Sequence, residues 1–136
     1  MRVRLIRLFQ EVVVPEAVAA ELLKNHCPLP AWLRVEKVKD TVQVSKYAQL
    51  LDSGEAEAIE LARELRADRL LIDERKGRRL AAKEGLPVIG LLGVVLLAKR
   101  KNLIPSARSL LARLEREAGM YLAEDLREAA LATVGE

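Results

Sequence analysis

Five carboxylates stand at positions where an oxygen-ligated cation could be held: Glu21, Glu55, Glu57, Asp73 and Glu74. Asp73 and Glu74 follow the short apolar run Arg69 to Ile72, so they occupy the carboxyl end of a strand, the end at which open α/β sheets bind ligands. Glu55 and Glu57 lie in the first turns of a helix, and Glu21 lies on another. Carboxylates with water are what Mg²⁺ or Mn²⁺ prefers, and such an ion can activate water beside a phosphodiester. A structural reading stands beside each acid. Asp73 and Glu74 can cap the helix that follows, Glu55 can complete a capping box with Asp52, and Glu57 and Glu21 can simply face solvent.

Basic residues cluster nearby in sequence. Arg75, Lys76, Arg78 and Arg79 follow the acid pair, and Lys99, Arg100 and Lys101 end an apolar helix. Both groups can hold phosphates, and a solvated helix face is the plain alternative. His26 and Cys27 are adjacent, but the chain has no other His or Cys to complete a metal site. There is no GxSxG elbow and no glycine-rich phosphate loop, which argues against nucleophilic hydrolases and nucleotide cofactors.

The elements that must position these groups alternate in type. Val12 to Val14 reads as a strand stopped by Pro15, which opens a helix to about Lys24. Arg2 to Phe9 reads as a short amphipathic helix, Trp32 to Val38 as an edge strand of period two, Asp40 to Ser45 as a polar connection, and Tyr47 to Leu51 as a short helix. A helix from Gly54 to about Arg66 should turn Ala58, Leu61, Ala62 and Leu65 to the core and Glu57, Glu60 and Glu64 elsewhere. Arg69 to Ile72 reads as a strand buried on both faces, then a helix to about Lys83 with Gly85 at its end, then a strand over Pro87 to Ile89. Helices over Leu91 to Lys101, Ile104 to Glu117 and Ala123 to Thr133 complete the chain. Such alternation implies βαβ units and a mostly parallel sheet.

Composition bounds the rest. With 136 residues, 51% apolar and only 3% aromatic, one domain with an aliphatic core is expected. The net charge of +3 is a small excess of 23 basic over 20 acidic residues, so local clustering matters more than the total. The single cysteine excludes an internal disulfide and suits a reducing cytoplasm. Neither Met1 to Phe9 nor Leu91 to Ala98 reaches the roughly 20 residues of a membrane span, and no signal peptide is visible, so a soluble cytoplasmic protein is expected.

Taken together and in order, VVVPEAVAAEL, GEAEAIELARELRADRLLIDE and GRRLAAKEGLPVIGLLGVVLLAKRKNLI resemble a prokaryotic branch of the PIN-domain superfamily over most of the chain. The resemblance implies a three-layer α/β/α fold with a mostly parallel central sheet. It also implies a Mg²⁺- or Mn²⁺-dependent ribonuclease, often the toxin of a toxin–antitoxin pair, with RNA as substrate, a small antitoxin protein as partner and a homodimer as assembly. By motif, Glu21 is the helix acid, Glu57 the middle acid and Asp73 the strand-end acid, with Glu55 and Glu74 able to assist in metal coordination.

Two features depart from that pattern. Relatives begin with an apolar strand ending in an aspartate, whereas here no aspartate precedes Asp40, so the fold is expected to be N-terminally shortened and to lack its leading metal ligand. Leu91 stands where relatives often carry a hydroxyl residue. Loss of the first strand would bring Val12 to Val14 against Arg69 to Ile72 or leave sheet edges for dimerisation to cover. Three functions therefore compete: the ribonuclease, a non-catalytic nucleic-acid- or antitoxin-binding module on the same fold, and a structural dimerisation domain.

Overall fold

The computed structural model describes residues 11–25 and 28–136. The helix expected over Arg2 to Phe9, and His26 with Cys27, lie outside these residues. The described chain is a mixed α/β protein of seven helices and short parallel strands, consistent with a PIN-like α/β/α fold. It divides into two compact units, one running to Ile89 and the other from Gly90 to Glu136.

In the first unit, β1 (Val12–Pro15) is a β-branched run that Pro15 closes while serving as N-cap of α1 (Glu16–Lys24). β2 (Leu33–Glu36) pairs with β1 in parallel, Val12 opposite Leu33 and Pro15 opposite Glu36. The polar stretch expected to be a connection is instead α2 (Thr41–Tyr47), and the chain beyond it, where a helix was expected, is turn. Asp40 explains the difference: its side chain accepts from the Gln43 N–H at 3.0 Å, and Tyr47 at the far end is buried.

α3 (Ser53–Leu65) starts as anticipated, with the Asp52 side chain accepting from the Glu55 N–H at 2.8 Å. Its buried face differs from expectation. Ala56, Ile59 and Glu60 are fully buried together with Leu61 and Ala62, whereas Leu65 is 42% exposed. β3 (Leu70–Leu71) pairs in parallel with β4 (Val88–Ile89). The strand is not covered on both faces, because Leu71 is 53% exposed. Between them, α4 (Arg75–Lys83) ends at Gly85, whose φ of +76° suits glycine, and the Leu86 N–H closes the turn on the Ala81 carbonyl at 3.0 Å.

α3 is the hub of this unit. It packs against α1, α2, α4, β1 and β3, and its Ile59 shares a core with Tyr47, Leu51, Leu70, Ile72 and Ala81. Both strand pairs are parallel, and among the described residues no backbone pairing joins one pair to the other. β1 and β3 therefore share a helix rather than a ladder.

The second unit holds α5 (Leu91–Arg100), α6 (Ala107–Ala118) and α7 (Glu124–Ala132), with α5 packed on α6. α6 begins later than its sequence suggests. Ser106 is the N-cap, accepting from the Ser109 N–H at 3.1 Å, and Pro105 precedes it. Glu136 seals the same helix start, accepting from Ser106 Oγ at 2.8 Å and from the Ala107 N–H at 2.6 Å. Those donors, Ser106 foremost, hold its carboxyl below the ordinary value. No helix among the described residues is long and apolar enough to cross a membrane.

The start of α2 is held from a distance as well, since Glu64 on α3 accepts from the backbone N–H groups of Lys39 at 2.9 Å and Asp40 at 3.0 Å. Burial alone would raise this carboxyl, but the Asp40 N–H, a hydrogen bond with Glu60 and the Lys39 N–H outweigh it and keep the group below its ordinary 4.5. A depressed folded value contributes stability that is complete above the unfolded value and is lost as pH falls through the folded one. Glu64→Gln is therefore expected to lower stability at neutral pH by about 1 kcal/mol. Urea melts between pH 7 and 3 should show a shallower acid-side decline than the parent's.

Candidate functional site

Two helix starts in the first unit face a common groove of about 430 Å³, lined by Ala17, Val18, Glu21 and Leu22 of α1 and by Asp52, Ser53, Gly54 and Glu55. Both helices start here because Pro15 and Asp52 are their N-caps. Glu21 is exposed on this groove and Glu55 is half-buried in it. Burial raises the Glu55 carboxyl above its ordinary value, and the negative charges of Asp52 and Glu74 push it further, against a hydrogen bond with the Asp52 backbone. Three acids thus repel one another around Glu55.

The remaining site acids are placed as follows. Glu57 reaches across to α1 and accepts from the Ala17 N–H at 3.0 Å, so it caps a helix 40 residues away in sequence. Glu74 is the N-cap of α4, accepting from the Gly77 N–H at 3.1 Å. Asp73 is exposed at the end of β3. Among the described residues no group of three or more carboxylate, His or Cys side chains is arranged to hold a metal ion. Mg²⁺ is commonly bound through only one or two carboxylates, with water completing its shell. The hard oxygen donors around Glu55, and the repulsion they carry, fit such a cation.

Gly77 fixes how closely α4 approaches this region. A Cβ at Gly77 would lie 2.5 Å from Ile72 Cδ1 and 3.8 Å from the carboxyl carbon of Glu55. The first turn of α4 therefore lies against both the end of β3 and Glu55. Its cations Arg75, Lys76, Arg78 and Arg79 are exposed, and among the described residues none is in an ion pair. In the second unit, Lys99 is engaged internally, donating to the Pro105 carbonyl at 2.9 Å with Glu136 at 3.9 Å, while Arg100 and Lys101 are exposed.

The sequence did not single out the pair of buried Glu60 and exposed Arg63 on α3. Glu60 is fully buried and takes a two-pronged hydrogen bond from Arg63, at 2.9 and 3.1 Å. Burial raises the Glu60 carboxyl even so, and the nearby Tyr47 hydroxyl is raised by its own burial first and by Glu84 next. The i,i+3 spacing of Glu60 and Arg63 was a readable signal for the pair. The burial of Glu60 was not. Asp52 was read as a cap alone, and the groove adds it to the acids around Glu55.

A family model described as a PIN domain matches residues 2–136. No curated protein and no solved structure matched the chain.

Two outcomes follow from these placements. Glu57→Ala should destabilise the protein by about 1 kcal/mol through loss of the α1 cap, with faster hydrogen exchange concentrated in the first turn of α1 around Ala17. Glu55→Gln should act in the opposite direction. A carboxyl raised in the folded state loses stability as pH rises through that value, so the amide is expected to raise the melting temperature at pH 7 and to leave it unchanged well below the ordinary glutamate range.

Proposed function

The chain belongs to the PIN-domain family, and from that membership we propose that it is a PIN-like ribonuclease dependent on Mg²⁺ or Mn²⁺. The observation that carries this reading is the groove lined by Glu21, Asp52 and Glu55, with the charge of Glu74 helping to raise Glu55. Glu21, Glu55 and Asp73 are the residues that would hold the cation, with Glu57 and Glu74 supporting them from their capping positions. A divalent ion there supplies positive charge for the scissile phosphodiester and acidifies attacking water. Glu55, whose carboxyl burial and the charges of Asp52 and Glu74 raise, would be held in its charged form by a cation that offsets those neighbours. Glu21, exposed on the opposite wall, would hold the cation from α1. The toxin role, with a small antitoxin protein as partner and a homodimer as assembly, belongs to the same proposal and rests on the family resemblance.

A second reading has its own support. Glu57 and Glu74 are committed to helix starts, and among the described residues three ligands do not converge. A nucleic-acid-binding module that has lost catalysis fits those facts.

Cleavage of a labelled RNA in Mn²⁺ separates the two. The ribonuclease reading expects cleavage that EDTA stops and that Glu21→Gln and Asp73→Asn each reduce at least tenfold, Glu21→Gln doing so with an unchanged melting temperature because Glu21 is exposed. RNA binding with no cleavage at any Mn²⁺ or Mg²⁺ concentration selects the module.

A further inference from the structure

Among the described residues Glu60 is the only buried carboxyl, and the proposed chemistry makes no use of it. It lies on α3 one helical turn before Glu64, so the two carboxyls stand on one face. Arg63 donates to both oxygens of Glu60, from Nε at 2.9 Å and from Nη2 at 3.1 Å, and its Nη2 lies 3.7 Å from Asp40 Oδ2. Glu64 commits both its oxygens to the lead into α2, accepting from the Lys39 N–H at 2.9 and 3.1 Å and from the Asp40 N–H at 3.0 Å. Glu60 and Glu64 are also hydrogen-bonded to each other.

A hydrogen bond between two carboxyl groups needs a proton on one of them, because two carboxylates offer acceptors alone. Glu64 already accepts from backbone N–H groups through both oxygens, so the proton belongs on the buried Glu60. The surrounding charges agree with that placement. Glu60, Glu64 and Asp40 gather around the Arg63 guanidinium, which is itself 45% exposed, while Lys39 stands beside Glu64. Glu84 at the end of α4 adds negative charge near the Tyr47 hydroxyl, which also faces Glu60 and Arg63. Burial lifts the Glu60 carboxyl above its ordinary value despite Arg63, whereas at Glu64 burial is outweighed by the backbone N–H groups.

We infer that one proton shared between Glu60 and Glu64 latches the start of α2 to α3, and that loss of this proton releases the backbone N–H groups of Lys39 and Asp40. Without the proton two adjacent negative charges repel, and the half-buried Glu64, rather than Glu60 in the grip of Arg63, is the one that moves. A carboxyl raised in the folded state contributes stability that is complete below its unfolded value and is lost as pH rises through the folded one, so the latch opens on the alkaline side. The segment it holds leads to the groove: Tyr47 ends α2 in the core, Leu51 is buried there too, and Asp52 follows as the cap of α3. The latch is independent of the ribonuclease reading.

The test is an NMR titration of the intact protein, labelled with ¹³C and ¹⁵N, from about pH 4 to about pH 9. The Glu60 Cδ resonance, assigned through its own backbone amide, should hold its protonated position through the ordinary glutamate range and move only at higher pH. The amide protons of Lys39 and Asp40 should shift upfield with the same midpoint as their hydrogen bonds are lost. In Glu60→Gln the amide oxygen accepts from Arg63 and the amide N–H donates to Glu64, so both backbone amides should stay hydrogen-bonded across the whole range. Glu64→Gln, whose amide can donate to a charged Glu60, should move the Glu60 transition down by about one pH unit or more, a tenfold change in proton affinity. A Glu60 that ionises within the ordinary glutamate range overturns the shared proton, a result the parent protein gives without any variant. Lys39 and Asp40 amides that ignore the Glu60 transition, or that shift equally in a folded Glu60→Gln, overturn the latch.

Discussion

The acidic side of α3 is the constraint on which the first unit depends. Glu57 holds the start of α1, the buried Glu60 holds the half-exposed Arg63, and Glu64 holds the start of α2. Each carboxylate sits where unsatisfied backbone N–H groups or a cation would otherwise be stranded, and each spans what hydrophobic contact alone leaves undirected. With the apolar residues Ala56, Ile59 and Leu61 buried on the same helix, α3 provides both the core and the fasteners. The two parallel strand pairs need no shared ladder to be arranged around it.

Charge is distributed unevenly for a physical reason. Acids in the first unit are drawn to helix starts, where positive partial charge and free N–H groups stabilise them: Asp40, Asp52 and Glu74 cap their own helices, while Glu57 and Glu64 cap others. Asp52 and Glu74 each act on Glu55, so satisfying the helices adds to the repulsion felt there. The same carboxylates thus serve stability and furnish the oxygen donors a cation would use. The cations of α4 have no such local use and stay exposed. In the second unit Arg108, Arg113 and Arg127 are each paired to a glutamate and Glu136 closes the start of α6.

Much of the fold was legible because its punctuation is local. Pro15 ending β1, Asp52 starting α3, the acid pair after β3 and the left-handed Gly85 after α4 all act within a few residues, and each stands where the sequence put it. The misread elements were those decided by burial. α2 looked like a polar connection because its stabilising contacts are the buried Tyr47 and the distant Glu64. Leu71 looked buried because a short apolar run carries no record of which face is covered. Of the site, the residue types and the neighbourhood of Glu55, Glu57, Asp73 and Glu74 were visible, but not their division of labour.

What the sequence by itself determined is the order and type of most elements, the Asp52 and Glu74 helix caps, and membership of the PIN-domain family, all of which depend on spacing along the chain. Tertiary structure alone decided that Glu57 caps a helix 40 residues away and that Glu60 is buried. It also decided that Glu55 is the carboxyl on which burial, Asp52 and Glu74 press together. A hydrogen bond between residues three apart is set by local geometry, whereas one between distant residues exists only after packing has brought two helices together.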